Sequence, residues 1–146
     1  MIEHIWTIIC KESKIDSDTN SITIIDALEN LNFDIPEAEV NFQKGKTNLF
    51  NVPFEIVSMF YRDKKGRIET HDYYVDIIDP SSKQIGKVEA KIRFEPQHNR
   101  MRSRIKFDTI GVTTEGVYKF KLYLKKKGEK DKLLTSIPLE ININFK

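Results

Sequence analysis

The chain has 146 residues, 39% hydrophobic and 32% charged, a size and balance that suit one folded domain and exclude a disordered or membrane-spanning composition. Net charge is +2, but residues 1–60 carry four Lys/Arg against ten Asp/Glu, and residues 61–146 carry twenty against twelve, so −6 faces +8. The longest N-terminal apolar stretch, Ile5 to Cys10, is short and preceded by Glu3 rather than a basic region, so we expect neither signal peptide nor spanning helix. The single cysteine, Cys10, allows no intrachain disulfide, and with these features it points to a cytoplasmic protein.

Period-two alternation runs along the chain. Glu3–Glu12 is apolar on both faces and reads as a central strand, and Ser13–Asn20 as a turn or loop. Ser21–Ile25 is a second strand, after which Asp26 and Glu29 have the spacing of a capping box and predict one helical turn over 26–31. Residues 32–48, with Pro36 and Gly45, read as the longest irregular connection. Strand 49–62 puts Phe50, Val52, Phe54, Ile56 and Phe60 on one face, and Asp63–Gly66 turns the chain. Strands follow at 67–78, 85–94, 100–109, 117–126 and 132–145, separated by turns at Asp79–Ser82, Glu95–Asn99 and Gly128–Asp131. Pro138 lacks a ladder donor and favours an edge or a bulge.

This spacing predicts an all-β, antiparallel, immunoglobulin-like sandwich of two sheets and about seven or eight strands, as one domain over residues 1–146. The expected core comprises Trp6, Ile8, Ile24, Phe54, Ile56, Val75, Ile92, Ile105, Phe120, Leu122 and Ile141. The strand ending in Cys10, Ser21–Ile25, His71 entering a strand that ends Ile78-Asp79-Pro80, Glu115-Gly116-Val117-Tyr118-Lys119-Phe120 and Thr135–Leu139 are together similar to a family of small uncharacterised bacterial sandwich proteins. That resemblance covers most of the chain, rests on turn and strand-start motifs, and brings no established activity with it.

Catalytic and cofactor motifs are weak. Lys44-Gly45-Lys46-Thr47 resembles the end of a phosphate-binding loop, but that motif needs glycine where Val40 stands. Asp16, Asp18 and Asn20 match the first calcium-loop positions, whereas Ser21 and Ala27 replace the required Gly and Glu, so locally bonded turn side chains are expected. His4, His71 and His98 lack metal-ligand spacing, and nothing cationic flanks Cys10 to activate its thiol. We expect no cofactor, no metal site and no enzymatic activity.

The outward positions of three strands stand out: Lys87, Glu89, Lys91 and Arg93; Arg100, Arg102, Arg104, Lys106 and Asp108; Lys119, Lys121, Tyr123 and Lys125. Ten cations meet two carboxylates there, and three of the six arginines fall within five residues. If short hairpins join the strands, these residues share one sheet face; a Greek-key connection would divide them. Such a face is either solvated through unseen ion pairs or a docking surface built from Lys91, Arg93, Arg100, Arg102, Arg104, Lys106, Lys119, Lys121 and Tyr123. The partner expected first is an acidic protein or a second copy of the chain, with nucleic acid or another anionic surface as the alternative and an enzyme third.

Overall fold

The computed structural model describes residues 2–35, 42–43 and 45–145. It contains nine strands: β1 (Ile2–Ile15), β2 (Ile22–Ala27), β3 (Asn30–Ile35), β4 (Asn48–Arg62), β5 (Glu69–Ile78), β6 (Gln84–Phe94), β7 (Arg100–Val112), β8 (Gly116–Leu124) and β9 (Lys132–Phe145). They form a four-stranded sheet, β2-β1-β4-β7, and a five-stranded sheet, β3-β9-β8-β5-β6. No helix occurs among the described residues.

The inner faces of the two sheets build the core. Phe54, Ile56, Val75, Ile92, Phe120, Leu122 and Ile141 are buried there as their phase predicts, and Ile105 packs against them. Trp6 and Ile8 depart from expectation. A bulge between His4 and Trp6 shifts the register, so Trp6 lies opposite Met59 and Ile8 opposite Val57, while Ile9 pairs with core Ile56. One inserted residue reverses every later side chain, which sends Trp6 and Ile8 to the outer face. Ile24 is half-buried rather than a core residue.

The expected helical turn is absent. Asp26 has φ 52°, a left-handed value outside helical geometry, and here the chain leaves the four-stranded sheet to begin β3 in the other. Residues 30–35 of the supposed turn and connection instead pair in parallel with β9, Asn30 opposite Glu140 through Ile35 opposite Phe145. The sandwich is therefore not wholly antiparallel, and it has one strand more than the upper expectation. On the outer side of that pair, Asn142 donates to Asn32 at 3.0 Å and Asn144 to Asp34 at 3.3 Å. Val40 and Lys44 of the loop-like motif lie outside the described residues.

Two prolines fall where a missing N–H costs least. Pro53 sits in the register shift between Asn51 and Phe54. Pro138 precedes the stretch of β9 that pairs with β3, so β9 has one neighbour at that point.

The turn before β8 is tied by a buried tyrosine. The Tyr118 hydroxyl donates to the Thr114 carbonyl at 2.6 Å and accepts from the Thr113 and Thr114 amides at 2.9 and 3.1 Å. Thr113 donates in turn to buried Asp79, whose other oxygen accepts from Ser81 and Lys83. Burial pushes the Asp79 carboxyl up, but these hydrogen bonds outweigh it and hold the group below its ordinary range. Gly116 takes φ 135° there, and a Cβ on it would come within 2.8 Å of Pro80.

Candidate interaction surface

The predicted basic residues do not share one face. β6 and β8 belong to the five-stranded sheet and β7 is an edge of the other, because the β6–β7 connection crosses between sheets. Alternation tells which way a side chain points relative to its own sheet, not which sheet receives the strand.

In the five-stranded sheet, β5 lies between β8 and β6 and interleaves acidic and aromatic side chains with the cations. Asp76 is opposite both Lys121 and Lys87, and Tyr74 is opposite both Tyr123 and Glu89. Lys91 pairs with Asp72 at 4.0 Å, Arg93 with Glu95 at 2.9 Å and Lys125 with Glu89 at 3.0 Å. Lys87 lies 4.3 Å above the Tyr74 ring, and Tyr123 stacks on Tyr74 with centroids 5.2 Å apart. The Tyr74 hydroxyl donates to Asp131 at 2.7 Å, and burial followed by this bond pushes its pKa up to about 12. Tyr123 thus forms part of a packed cluster. Lys119, opposite Pro138 and Ile78, extends the exposed rim. Carboxylates of β5 and β6 thus offset much of the positive charge on this face, while Lys119 and Lys121 make no ion pair among the described residues.

The four-stranded sheet treats its arginines differently. Its outer rows are Trp6–Met59–Arg102, Ile8–Val57–Arg104 and Cys10–Glu55–Lys106. β1 parts from β4 after Cys10 and continues with β2 as a two-stranded ribbon. The ribbon folds back across the outer face. Ser13 donates to Glu55 through its amide at 2.9 Å and its hydroxyl at 2.7 Å, and Arg104 reaches the same Ser13 at 3.4 Å. At the ribbon tip, Arg102 donates to the carbonyl and side-chain oxygen of Asn20 at 2.6 and 2.9 Å. Ribbon and sheet bury Cys10, Val57 and Glu55 between them. Burial, then the Glu55 charge, raises the Cys10 thiol pKa, which disfavours the reactive thiolate.

The Arg100 side chain is left exposed, with no hydrogen bond or ion pair of its own among the described residues. Three adjoining concavities meet at it. One of about 310 Å³ is lined by Ile5, Trp6, Met59 and Tyr61, and one of about 420 Å³ by Ile15, Asn20, Met59, His98, Met101 and Arg102. The third, about 330 Å³, is lined by Asn20, Lys65, Gln97, His98 and Asn99.

The two loops beside Arg100 are braced from within. Arg62 falls in phase with the core side of β4 and is 1% exposed. Its guanidinium donates to the carbonyls of His98 at 3.0 Å, Arg67 at 2.6 Å and Glu95 at 2.7 Å, and stands 5.0 Å from the Phe94 ring centroid. The Arg62 amide donates to Asn99, and Gly66 to Pro96. Reading the sequence did not single out Arg62; its signal is a cation two residues beyond Phe60, in the same inward phase, immediately before a turn.

The remaining candidates resolve into local structure. One Asp16 oxygen accepts from the Asp18 and Thr19 amides at 2.8 and 3.0 Å, a turn bonded to itself. His71 bonds Glu69 at 2.6 Å, and His4 bonds Thr7, which bonds Ser58. No group of three or more His, Cys, Asp or Glu able to hold a metal occurs among the described residues, and no helix there is long and apolar enough to cross a membrane.

The architecture is that of a two-sheet β-sandwich with a ribbon laid over one outer face. Comparison with protein-family models gives no match, and comparison with curated proteins gives none.

Proposed function

We propose that the chain is a non-enzymatic interaction module that docks an acidic protein partner on the outer face of its four-stranded sheet, around Arg100. The observation that carries this reading is an unpartnered arginine beside a groove holding Trp6, Met59, Tyr61 and half-exposed Ile5. Trp, Tyr, Met and Arg are the side chains over-represented where protein surfaces bind, and a cation among them selects an acidic partner. The proposal narrows the surface expected from sequence. Arg102 and Arg104 serve the ribbon, and Lys91, Arg93, Lys121 and Tyr123 belong to the five-stranded sheet.

We also propose an immunoglobulin-like topology for the module. Its support is the order β1-β4-β7 against β9-β8-β5-β6, the switch of the N-terminal segment to a parallel pairing on the last strand, and the tyrosine-tied corner before β8. The β1–β2 ribbon is then an addition to one edge.

A photo-cross-linking residue at Tyr61, with one at Tyr123 as control, tests the docking site in cells. The reading expects a discrete adduct from Tyr61 with an acidic protein, lost on Arg100→Glu, and none from Tyr123. A nucleic-acid adduct, a self-adduct, or equal yields from both positions would each replace it.

A further inference from the structure

The third concavity has a chemistry of its own. Its walls are Lys65, His98 and Arg100 with the amides Asn20, Gln97 and Asn99, and no carboxylate lines it. Lys65, like Arg100, has no ion pair among the described residues. Three facts favour an anion there. The carbonyls of Glu95, His98 and Arg67 are committed to buried Arg62 and that of Asn99 to its amide, so these oxygens do not confront a ligand. The Asn20 side-chain oxygen is engaged by Arg102, which leaves the Asn20 amide hydrogens as its free polar atoms. Both loops are cross-braced through Arg62, so the backbone that carries Lys65, Gln97, His98 and Asn99 is held in place before a ligand arrives.

We infer that this concavity is a site for a phosphate monoester, carried on the docked partner. A guanidinium, an ammonium and three side-chain amides offer more donors than the two oxygens of one carboxylate can use, and the three oxygens and double charge of a phosphate monoester use more of them. Two unpaired cations beside a side-chain-sized apolar groove fit a phosphorylated protein segment, whereas nucleic acid calls for a longer free cation stripe, and Arg102 and Arg104 farther along β7 are engaged by the ribbon. The inference rests on the docking reading only for the source of the ester; the site itself stands on the lining.

The test is titration of the ¹⁵N-labelled full chain with inorganic phosphate and with phenyl phosphate, against chloride at constant ionic strength. Saturable shifts are expected at Asn20, Lys65, His98, Asn99 and Arg100, with phenyl phosphate binding more tightly because its ring enters the Trp6–Met59 groove. Arg100→Gln or Lys65→Gln should each weaken binding by about tenfold, and Lys121→Gln should leave it unchanged. A non-saturating response, or an equal one at Lys119 and Lys121, overturns the site. So does tight binding of a single-stranded oligonucleotide by a chain that ignores phenyl phosphate. If phosphate fails while Tyr61 still captures an acidic protein, this inference falls and the docking reading stands. If phosphate saturates and Tyr61 captures nothing, the site stands and the protein partner falls.

Discussion

Arg102 on β7 holds Asn20 at the tip of the β1–β2 ribbon by two hydrogen bonds, to its carbonyl and to its side chain, across the outer face of β4. Asn20 has φ 59°, a conformation this clamp helps to hold. Arg102→Ala should therefore destabilise the chain by about 1–2 kcal/mol, the worth of hydrogen bonds from a charged group at a partly exposed site. It should also speed proteolysis within residues 16–21. Lys121→Ala, on the five-stranded sheet, should change stability by less than about 0.5 kcal/mol. Denaturant unfolding of the two variants measures the difference.

Arg62 should be the most sensitive charged position. Arg62→Gln takes the charged fork from three part-buried loop carbonyls, and a loss of about 2–3 kcal/mol is expected. Arg62→Lys keeps the charge but not the fork, and should recover only part of it. A variant that unfolds at the wild-type midpoint would show that the two loops are held by other means.

Phe120 is fully buried, in edge contact with Phe54. Phe120→Ala should cost about 3–5 kcal/mol by equilibrium unfolding. A loss below about 1 kcal/mol would contradict the phase of β8.

His4 makes stability depend on pH. Burial holds its imidazole below the ordinary value of 6.5, against a smaller upward pull from the Trp6 backbone bond. The folded state disfavours the cation, so the unfolded chain binds the extra proton. The contribution of His4 is complete above 6.5 and is lost as pH falls through its lower folded value. The melting temperature should drop between about pH 7 and 5, and His4→Gln should flatten that slope.

Cys10 should stay unreactive toward a thiol reagent in the native protein and react fully on unfolding, because burial both blocks access and disfavours the thiolate. Fast native-state labelling would mean that the ribbon opens readily.

Much of this fold is legible in the alternation. The strands from 49 onward, their turns and the inward phase of Phe54, Val75, Phe120 and Ile141 follow from residue spacing alone. The partition into sheets does not, because a hairpin and a crossover between sheets have the same local pattern. That is why Arg93 and Arg104, which a hairpin would have put on one face and a Greek-key connection on two, stand on different sheets. Asp26 and Glu29 have a capping-box spacing, but burying Leu31 and Phe33 along β9 favours an extended chain over a single exposed turn. The surface around Arg100 was only half legible. Its cation was read correctly as outward, whereas the aromatic groove depends on a bulge after His4 that no residue pattern announces.

The parallel pairing of β3 with β9 joins residues 30–35 to residues 140–145. During synthesis, β3 has no place to go until nearly the whole of this sequence has left the ribosome. Until then it is an unpaired apolar segment, Leu31, Phe33 and Ile35, open to improper pairing with other nascent chains. Closing so long a loop is also entropically slow. The polar comb of Asn30, Asn32 and Asp34 along its other face likewise meets its partners, Asn142 and Asn144 of β9, only then. The five-stranded sheet can thus be completed only once β9 is available.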